Sequence, residues 1–445
     1  MPQFLDSFID QVRAKRETIR PKLMVGRVSE LDADLGELVK KNWSPVVEVS
    51  IPDREVLAVD GSRAIRPFAS GAILYIARSL AIHRKKRFRE LEVDSFLCKA
   101  KSSDIQAFVN TRMESLEYKV AIQAIEKSNL SKSVILIDGS LYGRLTHLPR
   151  DLPAEGMKDF MLDYFESYFR LLELCRERSI LILGVSKDSR SSFFRDFLLK
   201  QIFDGAIKEI NNLSVLHKRD LYKVFKDVFV TPSTAFNSFN NLLRIYGDKL
   251  HGIEQILYEA VAARSDHQII CSYIEKSGHT IPIEHSLSRN NASLLKQMEN
   301  NPQVYLKRYF KNAFLEAKEK DSFIERGEKV IRNIPKFPSM ISFHVLLDPR
   351  DTPIRVDTPS WTFNRDNKIS DFVGERSVLV VVNDIISLLI KGYGGLKNYN
   401  IWLKRVDEEV RLSNNTVDQI YSSALEKTLD FTIIHTRGYR RVKYP

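Results

Sequence analysis

Two short apolar runs in this chain end in the same tripeptide. Residues 56–60 read Val-Leu-Ala-Val-Asp and continue into Gly61-Ser62. Residues 134–138 read Val-Ile-Leu-Ile-Asp and continue into Gly139-Ser140. Apolar runs of this length, rich in β-branched residues, suit strands buried on both faces. A carboxylate at the last position of such a strand points out of the sheet's end, where ligands of α/β sheets bind. Asp-Gly is also a common turn pair, so either copy alone reads as a strand-terminating turn. The repetition, together with what lies between the copies, favours a paired site.

After the first tripeptide come Arg63, Arg66 and Pro67, then a mostly apolar run over 69–83. The basic run His83-Arg84-Lys85-Lys86-Arg87 reads as a hairpin turn, and 88–96 alternates enough for a returning strand. Three consecutive antiparallel strands result. Ser103 or Asp104 can cap a helix running to about 128, with Ile105, Val109, Met113, Leu116, Val120 and Ala124 as its apolar stripe. The 134–138 strand follows, then a helix over about 156–178 and a strand over 180–185. A helix between the third and fourth strands lets the fourth run parallel to the first. The expectation is an α/β fold: a five-stranded mixed sheet flanked by helices, with Asp60 and Asp138 side by side at one sheet end.

Residues 1–50 read as an N-terminal helical segment, carried by Phe4, Phe8, Ile9 and Val12 and by Leu31, Leu35, Leu38 and Val39. The core spans 51–190. Residues 191–340 read as a mainly helical insertion in which the polar stretch 277–291 is a linker. Residues 341–445 return to the core, with strands expected at 343–347, 354–356, 378–382 and 431–435 and helices at 399–410 and 417–429.

The 445 residues can bury a substantial core. The formal net charge is +11, locally concentrated at 83–87 and 437–443. Basic clusters near carboxylates suit a polyanionic partner, because phosphates release counterions to Lys and Arg. Cys98, Cys175 and Cys271 show no zinc-ligand spacing, and an odd count without a framework fits a reducing compartment. The N-terminus has no signal-peptide core and no run of about 18 apolar residues exists to span a membrane. The expectation is a cytoplasmic protein.

Two carboxylates at adjacent strand ends repel each other and are stable chiefly around a cation. Oxygen-only ligation favours Mg²⁺ or Mn²⁺, and a third carboxylate helps to hold two metals for phosphodiester hydrolysis. At about 100° per residue, Glu117 lies about 70° from the centre of the helical stripe and Glu114 about 130°. Glu117 is therefore chosen, with Glu114, expected to face solvent, in reserve. Lys187, just past the fifth strand, is a candidate to neutralise a scissile phosphate. His435 is a candidate metal ligand or proton donor to the leaving oxygen. His147, His217 and His344 show no partner spacing and receive no role.

The segments VLAVDGSRAIRPF, RMESLEYKVAIQAI, SVILIDGSLYGRL and LILGVSKDSR, followed late in the chain by PIRVDTP and FTIIHTRGYRR, resemble the NurA-type nucleases. The resemblance implies an RNase H-like core and Mn²⁺- or Mg²⁺-dependent DNA cleavage. It also implies a homodimer that works with a HerA-type hexameric translocase in DNA end resection. It places the acidic triad on Asp60, Glu117 and Asp138 and a C-terminal histidine on His435. The basic residues assigned to the DNA path are Arg63, Arg66, Arg84, Lys85, Lys86, Arg87, Arg144, Arg437, Arg440 and Arg441. Two other classes stand beside it. An actin- or sugar-kinase-like phosphotransferase also places Asp-Gly turns around phosphate, but its repeated core is not found. A catalytically inactive DNA-binding adaptor would not need all three carboxylates.

Overall fold

The strand carrying Asp60 does not stop there. In the computed structural model, which describes residues 2–23, 31–47, 49–97, 101–152, 158–187, 189–262, 264–287 and 289–430, β1 runs Val56–Pro67. It pairs antiparallel with β2 (Ala72–His83) from Leu57↔His83 to Pro67↔Ile73. Gly61 and Ser62 therefore belong to a continuing strand, and the expected first turn is absent. The turn comes later, and a second one joins β2 to β3 (Lys86–Leu97) through Arg84 and Lys85, with Arg84 at φ +55°. Two-residue hairpin loops favour such positive φ values because their twist matches that of the strands. β3 buries Phe88 and Phe96 and turns charged residues outward, as suits the edge of a sheet.

Helix α1 (Ser102–Lys127) packs across β1, β2 and β3. Its buried side chains include Val109, Leu116, Val120 and Ala124 at the expected spacing. β4 (Val134–Asp138) then lies parallel to β1, in register from Val56↔Val134 to Val59↔Ile137. The short helix α2 (Leu141–Leu145) and α3 (Phe160–Glu177) lead to β5 (Leu181–Ser186), parallel to β4. The five strands thus stand in the order β3-β2-β1-β4-β5, the mixed sheet that the hydrophobic pattern predicts.

These elements belong to a compact unit of Val47–Ser186, Pro282–Phe343 and Arg355–Pro445. Its later segments extend the sheet. β6 (Ile283–His285) pairs with β7 (Met340–Leu346), and β8 (Ile354–Pro359) lies antiparallel on β5, from Arg355↔Ser186 to Asp357↔Gly184. β9 (Glu375–Ser377) pairs with β6. Two expectations change here. The polar stretch 277–291 does carry the chain from one unit to the other, between Ile281 and Pro282, but it is not irregular: Glu284 and His285 are fully buried in β6, where Glu284 accepts hydrogen bonds from Ser339 and Asn367 and pairs with Arg365 and Arg376. Satisfied polar groups can enter a core that hydropathy alone would deny them. Residues 378–382 are irregular and the strand is the preceding Glu-Arg-Ser, because β6 offers its edge to 375–377 and leaves Leu379 and Val381 exposed. Helices α4 (Asn383–Gly392), α5 (Ile401–Val410) and α6 (Ser422–Leu429) follow. α5 packs on β1 and β2 through Leu403, Val406 and Val410. The strand expected at 431–435 lies outside the described residues.

The other unit comprises Met1–Val46, Lys187–Ile281 and His344–Ile354. It is mainly helical, with helices such as Asp32–Lys41, Phe193–Glu209 and Asp266–Tyr273 packed on one another. Leu31, Leu35 and Val39 are buried as expected, whereas Phe4 and Phe8 of helix Pro2–Ala14 are exposed. The short strands Trp43–Pro45 and Gly278–Thr280 pair antiparallel. Among the described residues no helix is long and apolar enough to cross a membrane.

Candidate active site

Asp60 and Asp138 each follow directly on the last paired residues of two parallel neighbours, Val59 and Ile137. β4 ends at this point while β1 continues, so the pair stands where the sheet loses one strand. Strand alternation fixes the faces. A Cβ on Gly61 would meet Met113 and Glu117 of α1, so Gly61 faces that helix. Ser62 Oγ accepts the Leu412 N–H at 2.8 Å, so Ser62, and with it Asp60, faces the α5 side. Glu117 approaches from the opposite face and reaches the pair over the side chain that Gly61 lacks.

The second Asp-Gly-Ser is a turn. Gly139 has φ +111°, a region that favours glycine. Ser140 caps α2 by accepting the Gly143 N–H at 2.8 Å. The turn is locked from β8: Asp357, fully buried, accepts from the Ser140 hydroxyl and from Tyr142 N–H at 3.2 Å, and is itself paired with Arg355 at 2.8 Å. Gly184 of β5 permits this closeness, since a Cβ there would stand 2.6 Å from the Gly139 carbonyl oxygen.

Burial, the charges of Asp138 and Glu117, and the more distant Asp407 push the Asp60 carboxyl up to about 8, although its Oδ1 accepts the Gly61 N–H at 2.7 Å. Asp60 is 8% exposed and Glu117 1%. Burial lifts Glu117 to about 7 against the pull of Arg144, with Glu114 and Asp138 adding to the rise. Asp138 Oδ2 accepts a hydrogen bond from the Tyr399 hydroxyl at 3.1 Å. Tyr399 is pushed well above the usual phenol range by burial and by Asp138, Asp60 and Asp407.

The structure thus sets Asp60 and Asp138 on neighbouring strands, with Glu117 approaching Gly61 from the α1 side. Glu114 does not point freely to solvent, however. Its carboxylate accepts from the Tyr164 hydroxyl at 2.6 Å and pairs with His147 at 3.1 Å, and His147 and Arg144 help to hold it below the usual carboxylate range although burial opposes them. His147, given no role from spacing, has this one.

Among the described residues no three His, Cys, Asp or Glu side chains already surround a common point as a metal cage would. The expected convergence on one point is therefore incomplete; Glu117 Oε2 is held by Arg144, and its Oε1 is turned towards Gly61. The donors nonetheless suit a hard divalent cation: they are oxygen atoms only, and burial together with the charges of Asp138 and Glu117 raises the Asp60 carboxyl, an effect that a cation would offset.

The basic residues fare differently. Arg144 is buried inside the site and cannot line a surface path. A buried carboxylate requires a cation nearby, and Arg144 on α2 is the one that Glu117 finds. Arg66 is paired with Asp418 at 2.8 Å, and Arg63 donates to Asn110 of α1. Arg84, Lys85, Lys86 and Arg87 lie beyond Leu57 and His83, at the end of β1 opposite Asp60 and Asp138, where Arg84 pairs with Glu55 and Arg87 with Glu409 at 2.6 Å. Lys187 is exposed and begins the other unit. His435, Arg437, Arg440 and Arg441 lie outside the described residues.

Sequence reasoning missed Tyr399, Asp357 and Asp407. Asp357 carried a signal, a carboxylate inside a short apolar strand, which is costly unless partnered. Tyr399 and Asp407 carried none, since only the packing of α5 on β1 places them.

Comparison with known proteins bears on the family and the fold. Residues 54–412 match the NurA domain, an interval that contains all of the residues just placed at the site. A stretch of 138 residues is 29% identical to the DNA double-strand break repair nuclease NurA of Pyrococcus furiosus, and the alignment covers 29% of this chain and 29% of that relative, under two thirds of its length. The crystal structure of the NurA nuclease from Sulfolobus solfataricus has the same fold, with a TM-score of 0.52 at 14% identity over 97% of this chain and 98% of that one. By the extent of the domain match, the chain belongs to the NurA family.

Proposed function

We propose that this chain is a divalent-metal-dependent nuclease that hydrolyses phosphodiester bonds of DNA in double-strand break repair. One observation carries the reading: a buried Asp60 and a half-buried Asp138 follow each other's register on parallel strands, with Glu117 approaching from the other face, and burial with these neighbouring charges raises the Asp60 carboxyl to about 8. Family membership supports DNA as the substrate.

Asp60, Asp138 and Glu117 would hold Mn²⁺ or Mg²⁺. When bound, such an ion lowers the pKa of an attacking water and neutralises charge on the phosphodiester. The remaining work falls to the chain itself. Tyr399 donates to Asp138 Oδ2 and so fixes which lone pairs of that carboxylate face the site. Asp357 and Arg355 hold the turn that aims Asp138. Asp407, on the same face as Asp60, adds negative charge that favours cation uptake. His435 is a metal ligand or a proton donor to the leaving oxygen in this reading. Resection of DNA ends, a homodimer and a HerA-type translocase partner are its finer parts and rest on the family.

The purified chain is incubated with linear DNA and Mn²⁺, Mg²⁺ or a chelator. Cleavage that requires the metal and is lost in Asp60→Asn supports the proposal. Absence of cleavage with either metal, or full activity in that variant, refutes it.

A further inference from the structure

The two oxygens of Glu117 are divided between two neighbours. Oε2 accepts from Arg144 Nη2. Oε1 lies 2.6 Å from the point where a Cβ on Gly61 would stand, on the side of β1 and the Asp pair. The same Arg144 Nη2 also donates to the main-chain oxygen of Asp138 at 3.3 Å. A single nitrogen therefore ties the helix that carries Glu117 to the strand end that carries Asp138.

Arg144 is 4% exposed, and its guanidinium lies 5.4 Å over the ring of Tyr118. Among the described residues its buried Nη1 finds no hydrogen-bond partner. A guanidinium kept this deep with one nitrogen unsatisfied is a poor way to stabilise a core, where an apolar side chain of similar size serves better. What it does accomplish is orientation. With Oε2 held, rotation of the Glu117 carboxylate is restricted, and Oε1 stays turned towards β1 at Gly61, beside Asp60 in the chain.

We propose that Arg144 is a positioning residue for the metal site, acting through Glu117. This inference rests on the reading of Asp60, Glu117 and Asp138 as metal ligands. Arg144 sets the affinity for the divalent ion without touching it. Partners that orient a metal ligand are worth roughly ten- to hundredfold in metal affinity.

Isothermal titration of the full chain with MnCl₂ tests this directly. Arg144→Met is expected to weaken Mn²⁺ binding roughly ten- to hundredfold, and Arg144→Lys to restore part of the loss. Cleavage by Arg144→Met should return towards the wild-type rate at saturating Mn²⁺. In a Glu117→Gln background, Arg144→Met should change the affinity by less than about twofold, because the path between them is already broken. Wild-type affinity in Arg144→Met overturns the inference, as does a full further loss on top of Glu117→Gln. If Arg144→Met alone does not fold, the Glu117→Gln pair of proteins decides, since the double variant leaves no unpaired charge. A wild-type chain that binds no Mn²⁺ refutes instead the metal reading beneath it.

Discussion

Glu117 reaches Asp60 through the space left by Gly61. A Cβ at position 61 would stand 2.6 Å from Glu117 Oε1 and 2.6 Å from Met113 Cγ. The glycine is there for this approach and not for a turn, since it continues β1 in regular pairing with Ser79. Gly61→Ala should therefore keep the sheet, as circular dichroism would report, and lower cleavage by roughly tenfold or more by displacing Glu117. An alanine variant with unchanged activity would show that Glu117 need not approach.

Removing either aspartate should separate chemistry from folding. Asp60→Asn and Asp138→Asn relieve the repulsion between neighbouring like charges, so neither should unfold the protein. Each should reduce DNA cleavage by roughly a thousandfold or more, because the oxygen donors are no longer anionic. Initial rates at several Mn²⁺ concentrations check this.

The metal-free protein should lose stability as the pH rises. Asp60 sits at about 8 and Glu117 at about 7 when folded, against about 4 in an unfolded chain. A carboxyl raised in the folded state keeps a proton that the unfolded chain releases. Its contribution is complete below about pH 4 and is lost as the pH climbs through about 8. Thermal melts in a chelator should thus fall between about pH 5 and pH 8.5, Asp60→Asn should flatten the fall, and Mn²⁺ should raise the melting temperature most at the alkaline end. Equal melting temperatures across this range in the wild type would contradict the burial of these groups.

Glu114 and Glu117 are one helical turn apart and should behave differently. Glu114→Gln weakens the contacts with Tyr164 and His147 and should cost about 1–3 kcal/mol of stability while leaving the cleavage rate within about threefold. Glu117→Gln should cost activity and raise the Mn²⁺ requirement. Chemical denaturation and metal titration of the two variants separate these roles, and a reversed pattern would exchange the assignments.

The core was legible in the sequence because its signals are local. A buried parallel strand needs an unbroken apolar run, and 134–138 supplies one, while α1 repeats its apolar residues at helical spacing. The identical tripeptides were harder. Nothing in Asp-Gly-Ser distinguishes Gly61, needed for room, from Gly139, needed for its φ of +111°. The difference comes from the neighbours, since β2 pairs with β1 past Asp60 while β4, on β1's other side, ends there. Arg144 was placed with the surface cations because charge predicts exposure, and only the enclosed Glu117 reverses that rule. Tyr399 and Asp407 depend on contacts between segments more than 250 residues apart, beyond the reach of any periodicity.

Tyr399 is the last of the described residues in chain order to bond a site carboxylate, and it is synthesised after both aspartates. A chain emerging from the ribosome makes Asp60 and Asp138 early, then Asp357, which locks the turn, and only afterwards Tyr399 and α5. The centre therefore matures in a fixed temporal order. A nascent polypeptide arrested before residue 399 would carry its aspartates without the hydroxyl that orients Asp138, leaving an immature centre until that residue and α5 are made.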